Sequence, residues 1–158
     1  MNTICNFNTL LVYQLSDSLY IGQSPYGLFN QDEIVAELKN CGVTVIVSLL
    51  EYDEIKYDIS LYLQNFKHIA LPTQKGEVPS LSTIKRVFSL MDAGEVIYLH
   101  SMSGLGRANV VVATYLHEVY DVRGEALLKK LMDVMDGTKI GIRWGQMSAK
   151  QKRYIQNL

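Results

Sequence analysis

The run Val43–Leu50 (VTVIVSLL) constrains the architecture of this 158-residue chain more than any other segment. It is apolar at alternate positions of both parities and rich in β-branched residues, so it cannot be a strand with one wet face. It is also too short for a buried helix, and Gly42 bounds it. Such a strand belongs in the middle of a sheet covered on both sides. The residues before it supply one cover. Asn30 reads as a helix N-cap with Glu33 as its capping-box partner, and the helix buries Ile34, Val35 and Leu38 before stopping at Gly42.

The same alternation runs along the whole chain. Thr9–Tyr13 and Leu19–Ile21 read as short opening strands, and His68–Leu71 as a strand ending at Pro72. Ser80 opens a helix with Leu81, Ile84, Val87, Phe88 and Met91 on one face, closed by Gly94. Val96–Leu99 is a further strand, followed by a glycine-containing loop and an apolar helix from Ala108 to about Tyr120. Two more helices are predicted. One runs from Gly124 to Met135 and ends at Asp136-Gly137; the other is capped by Ser148 with Gln151 at its third position. No repeat, linker or low-complexity stretch interrupts the pattern, so residues 1–158 are expected to form one α/β domain, a central sheet with helices on both faces.

Composition bounds the function. Apolar residues make up 48% and charged residues 20%, enough for one packed core. With 15 basic against 16 acidic residues there is no net field to draw the chain onto nucleic acid or a lipid surface. No apolar run reaches the length of a membrane span, and the N-terminus lacks a secretory signal. Cys5 and Cys41 are too few for a disulfide framework, and His68, His100 and His117 show no ligand spacing. A reduced, cytoplasmic, monomeric protein without metal or other cofactor is therefore expected.

The chemistry lies between the last strand and its helix. His100-Ser101-Met102-Ser103-Gly104-Leu105-Gly106-Arg107 follows the pattern H-x-x-x-G-x-x-R. A loop of this kind wraps successive backbone N–H groups around a point just beyond a helix N-terminus, where the helix dipole also favours an anion. Gly104 and Gly106 permit the wrap, and Arg107 can give a planar fork to two oxygens of a phosphate. Gly104–Asn109 half-matches a dinucleotide fingerprint, but Asn109 replaces its third glycine. With no G-K-[ST], a nucleoside-triphosphate loop is excluded.

The segment Val96–Leu116 (VIYLHSMSGLGRANVVVATYL) resembles the signature segment of the cysteine-dependent protein tyrosine phosphatases, and most of all their small atypical dual-specificity branch. Asp17–Gly22, Gly42–Glu51, Leu71–Ser80 and the C-terminal stretch with Arg143 and Ser148–Leu158 resemble other parts of that family. The resemblance implies a twisted, mostly parallel sheet with the phosphate loop at its C-terminal edge. It also implies a two-step hydrolysis through a phosphocysteine, without a metal. Carried over, Arg107 and the amides of Met102, Ser103, Gly104, Leu105, Gly106 and Arg107 would bind the phosphoryl group, and His100 would orient the loop. Phosphate, sulfate or vanadate would occupy it. The partner would be a phosphorylated protein or a small phosphoester.

Three positions depart from the family. Ser101 stands at the nucleophile position, where a hydroxyl stays protonated and nearly inert. Lys75 stands where the general acid is usual, with Glu77 the nearest carboxyl that could substitute. Ala108 replaces the usual hydroxyl residue. The expectation is a phosphatase domain that binds phosphate monoesters but is inert as written. Two histories fit: a nucleophilic cysteine replaced by serine, or a natural pseudophosphatase that acts as a phosphate-binding module. A scaffold without phosphate affinity is the third reading. Lys75, Lys139 and Arg143 are basic residues that could rim the cleft.

Overall fold

The computed structural model describes residues 7–103, 106–135 and 147–158. Five strands form one sheet: β1 (Val12–Ser16), β2 (Leu19–Gly22), β3 (Val45–Ser48), β4 (Lys67–Ala70) and β5 (Ile97–His100). Their spatial order is β1-β2-β5-β3-β4. Only the β1–β2 pair is antiparallel; β2–β5, β5–β3 and β3–β4 are parallel. The sheet is therefore mixed but mostly parallel, and β5, the last of the described strands in sequence, lies at its centre.

Helices cover both faces. Those described are α1 (Gln31–Asn40), α2 (Ser60–Asn65), α3 (Leu81–Asp92), α4 (Arg107–Tyr120), α5 (Gly124–Met135) and α6 (Ala149–Gln156). In β3, Val45 and Val47 pack into the core under α3, α4, α5 and α6, while Ile46 points into the core under α1 and α2. This is why the apolar run of β3 shows no alternation. Burying an apolar side chain on either face stabilises by about 1.5–3 kcal/mol, and the one polar residue of the strand, Ser48, is buried at its C-terminal end with its hydroxyl accepting from the Leu50 amide.

Local signals account for most boundaries. The Ser80 hydroxyl accepts from the Thr83 amide and opens α3, and Ser148 and Gln151 form a reciprocal capping box on α6. Gly94, at φ +85°, ends the turn after α3. Elsewhere the structure corrects the reading. Asn30 does precede α1, but its backbone is left-handed (φ 63°) and its side chain makes no cap bond. That conformation turns the side chain away from the first-turn amides, so the box with Glu33 does not form. The first strand lies three residues later than expected. The short helix α2 and a 3-10 turn at Tyr52–Glu54 had no recognisable period in the sequence. Cys41, at the half-buried C-cap of α1, is disulfide-bonded where a thiol was expected. Asp136-Gly137, Lys139, Arg143, Gly104 and Leu105 lie outside the described residues.

Candidate active site

β5 delivers the site. Flanked by β2 and β3 and buried along its length, it carries His100 and then Ser101 to the C-terminal edge of the parallel strands, where such sheets place their ligands. Main-chain bonds hold both ends of the loop: Leu49 N to His100 O at 2.9 Å and Ser24 N to Met102 O at 3.0 Å at its start, and Val110 N to Gly106 O at 3.3 Å at its end. Ser101 is 2% exposed and sits on the floor of a cavity of about 240 Å³. Met102, Ser103, Gly106 and Arg107 line it on the loop side. Lys75 and Gly76, together with Met147, Ser148 and Gln151, close the others. The N-terminus of the 14-residue helix α4 points at this cavity.

Arg107 opens α4, and its side chain is almost wholly buried. Its Nη1 and Nη2 donate to the two carboxylate oxygens of Glu54 at 2.6 and 2.9 Å, and Nη1 also donates to Thr73 O at 2.8 Å. Glu54 is itself placed by the 3-10 turn. Its amide bonds Glu51 O at 3.0 Å, and its Oε1 accepts from the Glu51 amide at 3.0 Å. The hydrogen bond from Arg107 is the main force holding the Glu54 carboxyl below its ordinary range. Burial opposes it, while the bond to Glu51 and the charges of Arg107 and Lys75 add to it. The fork that the sequence assigned to a phosphate is thus engaged end-on by a carboxylate beside the cavity. Glu54 was not singled out in the sequence, because Glu51, Asp53 and Glu54 are indistinguishable until the turn is formed.

His100 is fully buried. Its Nδ1 lies 3.1 Å from Ser101 O and its Nε2 3.3 Å from the Tyr26 hydroxyl. Burial above all depresses its pKa to about 3, with the charges of His68 and Arg107 contributing and the bond to Ser101 O opposing. The imidazole is neutral across the physiological range and faces backbone, not the cavity. Gly106 has an ordinary negative φ; its lack of a side chain matters because an added Cβ would lie 3.2 Å from Gln151 Oε1.

Lys75 occupies the tip of a turn closed by Glu77 N to Gln74 O at 3.0 Å, with Gly76 at φ +82°. The turn is fastened to α6: Ser148 Oγ donates to Gly76 O at 2.6 Å, and Gln151 Nε2 donates to Glu77 O at 3.0 Å. The Glu77 carboxylate points the other way and pairs with Lys150 at 2.8 Å on an exposed surface. The structure therefore brings Lys75 to the cavity with Ser101 and Arg107 and leaves Glu77 outside it. Ala108, in the first turn of α4, is fully buried. A second cavity, of about 540 Å³, adjoins the first across Lys75 and Met102, with Tyr26, Tyr57, Asp53 and Lys56 among its walls.

Residues 21–119 match the family model for Tc-R-P, the dual-specificity phosphatase (DSP-PTPase) of polymorphic toxin systems. The chain belongs to this family. The 067L protein of Invertebrate iridescent virus 3, named as a tyrosine phosphatase, is 30% identical over 145 residues, a match covering 83% of this chain and 60% of the viral protein. The chain thus spans about 60% of the length of that relative. Among solved structures, the fold is shared with kinase-associated phosphatase (KAP) whose catalytic-site cysteine was substituted by serine (TM-score 0.72, 20% identity, 96% of this chain and 95% of that one). It is shared too with a Cys-to-Ser variant of TpbA from P. aeruginosa in complex with pTyr (TM-score 0.68, 21% identity, 92% and 83%). The phosphatase-like loop resemblance and the α/β fold therefore agree: this is a domain of the dual-specificity and tyrosine phosphatase type.

Proposed function

We propose that this domain binds phosphate monoesters above Ser101 and, with serine at that position, retains them without hydrolysis. One observation carries the reading. Among the described residues, the cavity lining holds two cations, Lys75 and Arg107, and no carboxylate, cysteine or histidine. Electrostatically it suits a dianion. Chemically it lacks both groups the family's reaction needs, a thiolate to attack phosphorus and an acid to protonate the leaving oxygen. Among the described residues no base stands beside the serine hydroxyl, and the His100 imidazole faces away.

Oxygen and sulfur differ little in size, so the cradle should still hold its ligand. The TpbA variant, which carries serine for cysteine and was solved with pTyr, supports that expectation. A bound dianion would take the Nε/Nη2 edge of Arg107, since Glu54 takes the Nη1/Nη2 edge. The rest of the ester, whether phosphorylated protein or small phosphoester, would extend into the adjoining cavity past Lys75. A second reading, an active phosphatase whose cysteine has been replaced, is favoured by the intact Arg107–Glu54 pair and by the loop's ties to the sheet.

The test is Ser101→Cys, assayed with an aryl phosphate whose phenol is acidic enough to leave unprotonated. Hydrolysis there would establish the second reading. A variant that stays silent while binding phosphotyrosine would establish the binding module. Absence of sulfate, vanadate and phosphotyrosine binding by the unaltered protein would overturn both.

A further inference from the structure

Behind the loop lies a buried hydrogen-bond chain that runs beyond His100 to residues with no role in the phosphate chemistry described above. The Tyr26 hydroxyl has three neighbours: His68 Nε2 at 2.5 Å, His100 Nε2 at 3.3 Å, and the Ser48 side chain. His100 Nδ1 in turn meets Ser101 O at 3.1 Å. The proton positions follow by elimination. A carbonyl oxygen only accepts, so Nδ1 of His100 carries the hydrogen. A neutral imidazole has one hydrogen, and His100 is neutral, so its Nε2 accepts. Tyr26 must then donate to it. With its hydrogen committed, Tyr26 can only accept from His68 Nε2–H.

The chain is therefore directional. It starts at half-buried His68 on the edge strand β4, crosses Tyr26 in the segment between β2 and α1, passes through His100 on the central strand β5, and ends on the carbonyl of residue 101. Reversing His68 to its other tautomer would turn the Tyr26 hydroxyl toward it. His100 would then have to donate through Nε2, setting an unprotonated Nδ1 against the Ser101 carbonyl. We infer that His68 is a positioning residue: by donating to Tyr26 it fixes the tautomer of His100 and so the aim of the peptide at position 101. The inference rests on the loop being the phosphate site, but its first readout does not. Hydrogen bonds in such a chain polarise one another, so the far member affects the near one.

Long-range ¹H–¹⁵N spectra of the imidazoles in the unaltered protein give that readout. His100 is expected as the Nδ1–H tautomer and His68 as the Nε2–H tautomer; either found reversed overturns the inference. His68→Phe should shift the His100 nitrogens and weaken inorganic phosphate binding about fivefold, one hydrogen bond's worth. His68→Gln, whose amide can still donate, should restore both. A His68→Phe protein that is folded by circular dichroism, with unmoved His100 nitrogens, also overturns it. If the tautomers hold and the nitrogens shift while no variant binds phosphate, the phosphate reading fails and the chain stands.

Discussion

Arg107 and Glu54 meet in a two-bond pair, 2.6 and 2.9 Å, that holds the guanidinium at the edge of the cavity above Ser101. The pair is nearly excluded from solvent, with 4% and 15% of the side chains exposed. Removing one partner leaves a buried charge uncompensated, which typically costs about 3–5 kcal/mol; the slight exposure of Glu54 and the carbonyl of Thr73 reduce this. Glu54→Ala should therefore destabilise the fold by about 2–3 kcal/mol and weaken sulfate binding, measured by urea unfolding and calorimetry.

Arg107→Lys should abolish sulfate and vanadate binding, because a point charge cannot serve the carboxylate and a phosphate at once. The buried pair also makes this substitution destabilising. Chemical denaturation should show a loss of about 1–3 kcal/mol, with circular dichroism unchanged. Unaltered anion binding would show that the dianion site lies elsewhere.

Acid should begin to weaken the fold above the range of carboxylate titration. His100 falls to about 3 when folded against 6.5 as a free group, so the unfolded chain binds its proton first. The contribution is fully present above pH 6.5 and is lost as pH falls toward 3, at up to about 1.4 kcal/mol per pH unit. His100→Asn keeps a donor near Nδ1 but does not titrate, so its stability profile should be flatter across that window. An identical slope in both proteins would count against a neutral buried His100.

Lys75 makes a separate expectation. In a Ser101→Cys background, Lys75→Asp should raise turnover of an alkyl phosphate, whose leaving oxygen needs a proton, by about 10²-fold or more. The effect on an activated aryl phosphate should be small. Comparing kcat for the two esters separates an absent acid from an absent nucleophile.

Gln151 is buried and joins two jobs, capping α6 through Ser148 N at 2.9 Å and holding Glu77 O at 3.0 Å. Gln151→Ala should cost about 1–3 kcal/mol and speed hydrogen exchange at residues 74–77 more than at β5. Uniform exchange changes would mean the turn is held by other contacts.

What could be read in advance divides by range. The covered strand at β3, the caps at Ser80 and Ser148, and the strand–loop–helix at His100–Arg107 announce themselves within a few residues, because turns, caps and periodicity are local. Glu54 and Tyr26 do not. Each acts on the loop from a segment dozens of residues away, and nothing in Glu51-Tyr52-Asp53-Glu54 says which carboxylate a distant arginine will take. Glu77 was proposed from its nearness in sequence to Lys75, yet the turn at Gly76 sends the two side chains apart. Asn30 shows the opposite case, a boundary placed correctly by a residue whose backbone, not its side chain, ends up making the corner.

The central place of β5 has a thermodynamic consequence. A residue at the tip of a strand bonded on both sides cannot wander until its neighbours part, so the floor of this cavity has no private way of melting. Any anion that settles there is tied to the unfolding of the whole sheet, and a ligand's grip should be legible as a rise in the temperature at which the entire domain gives way.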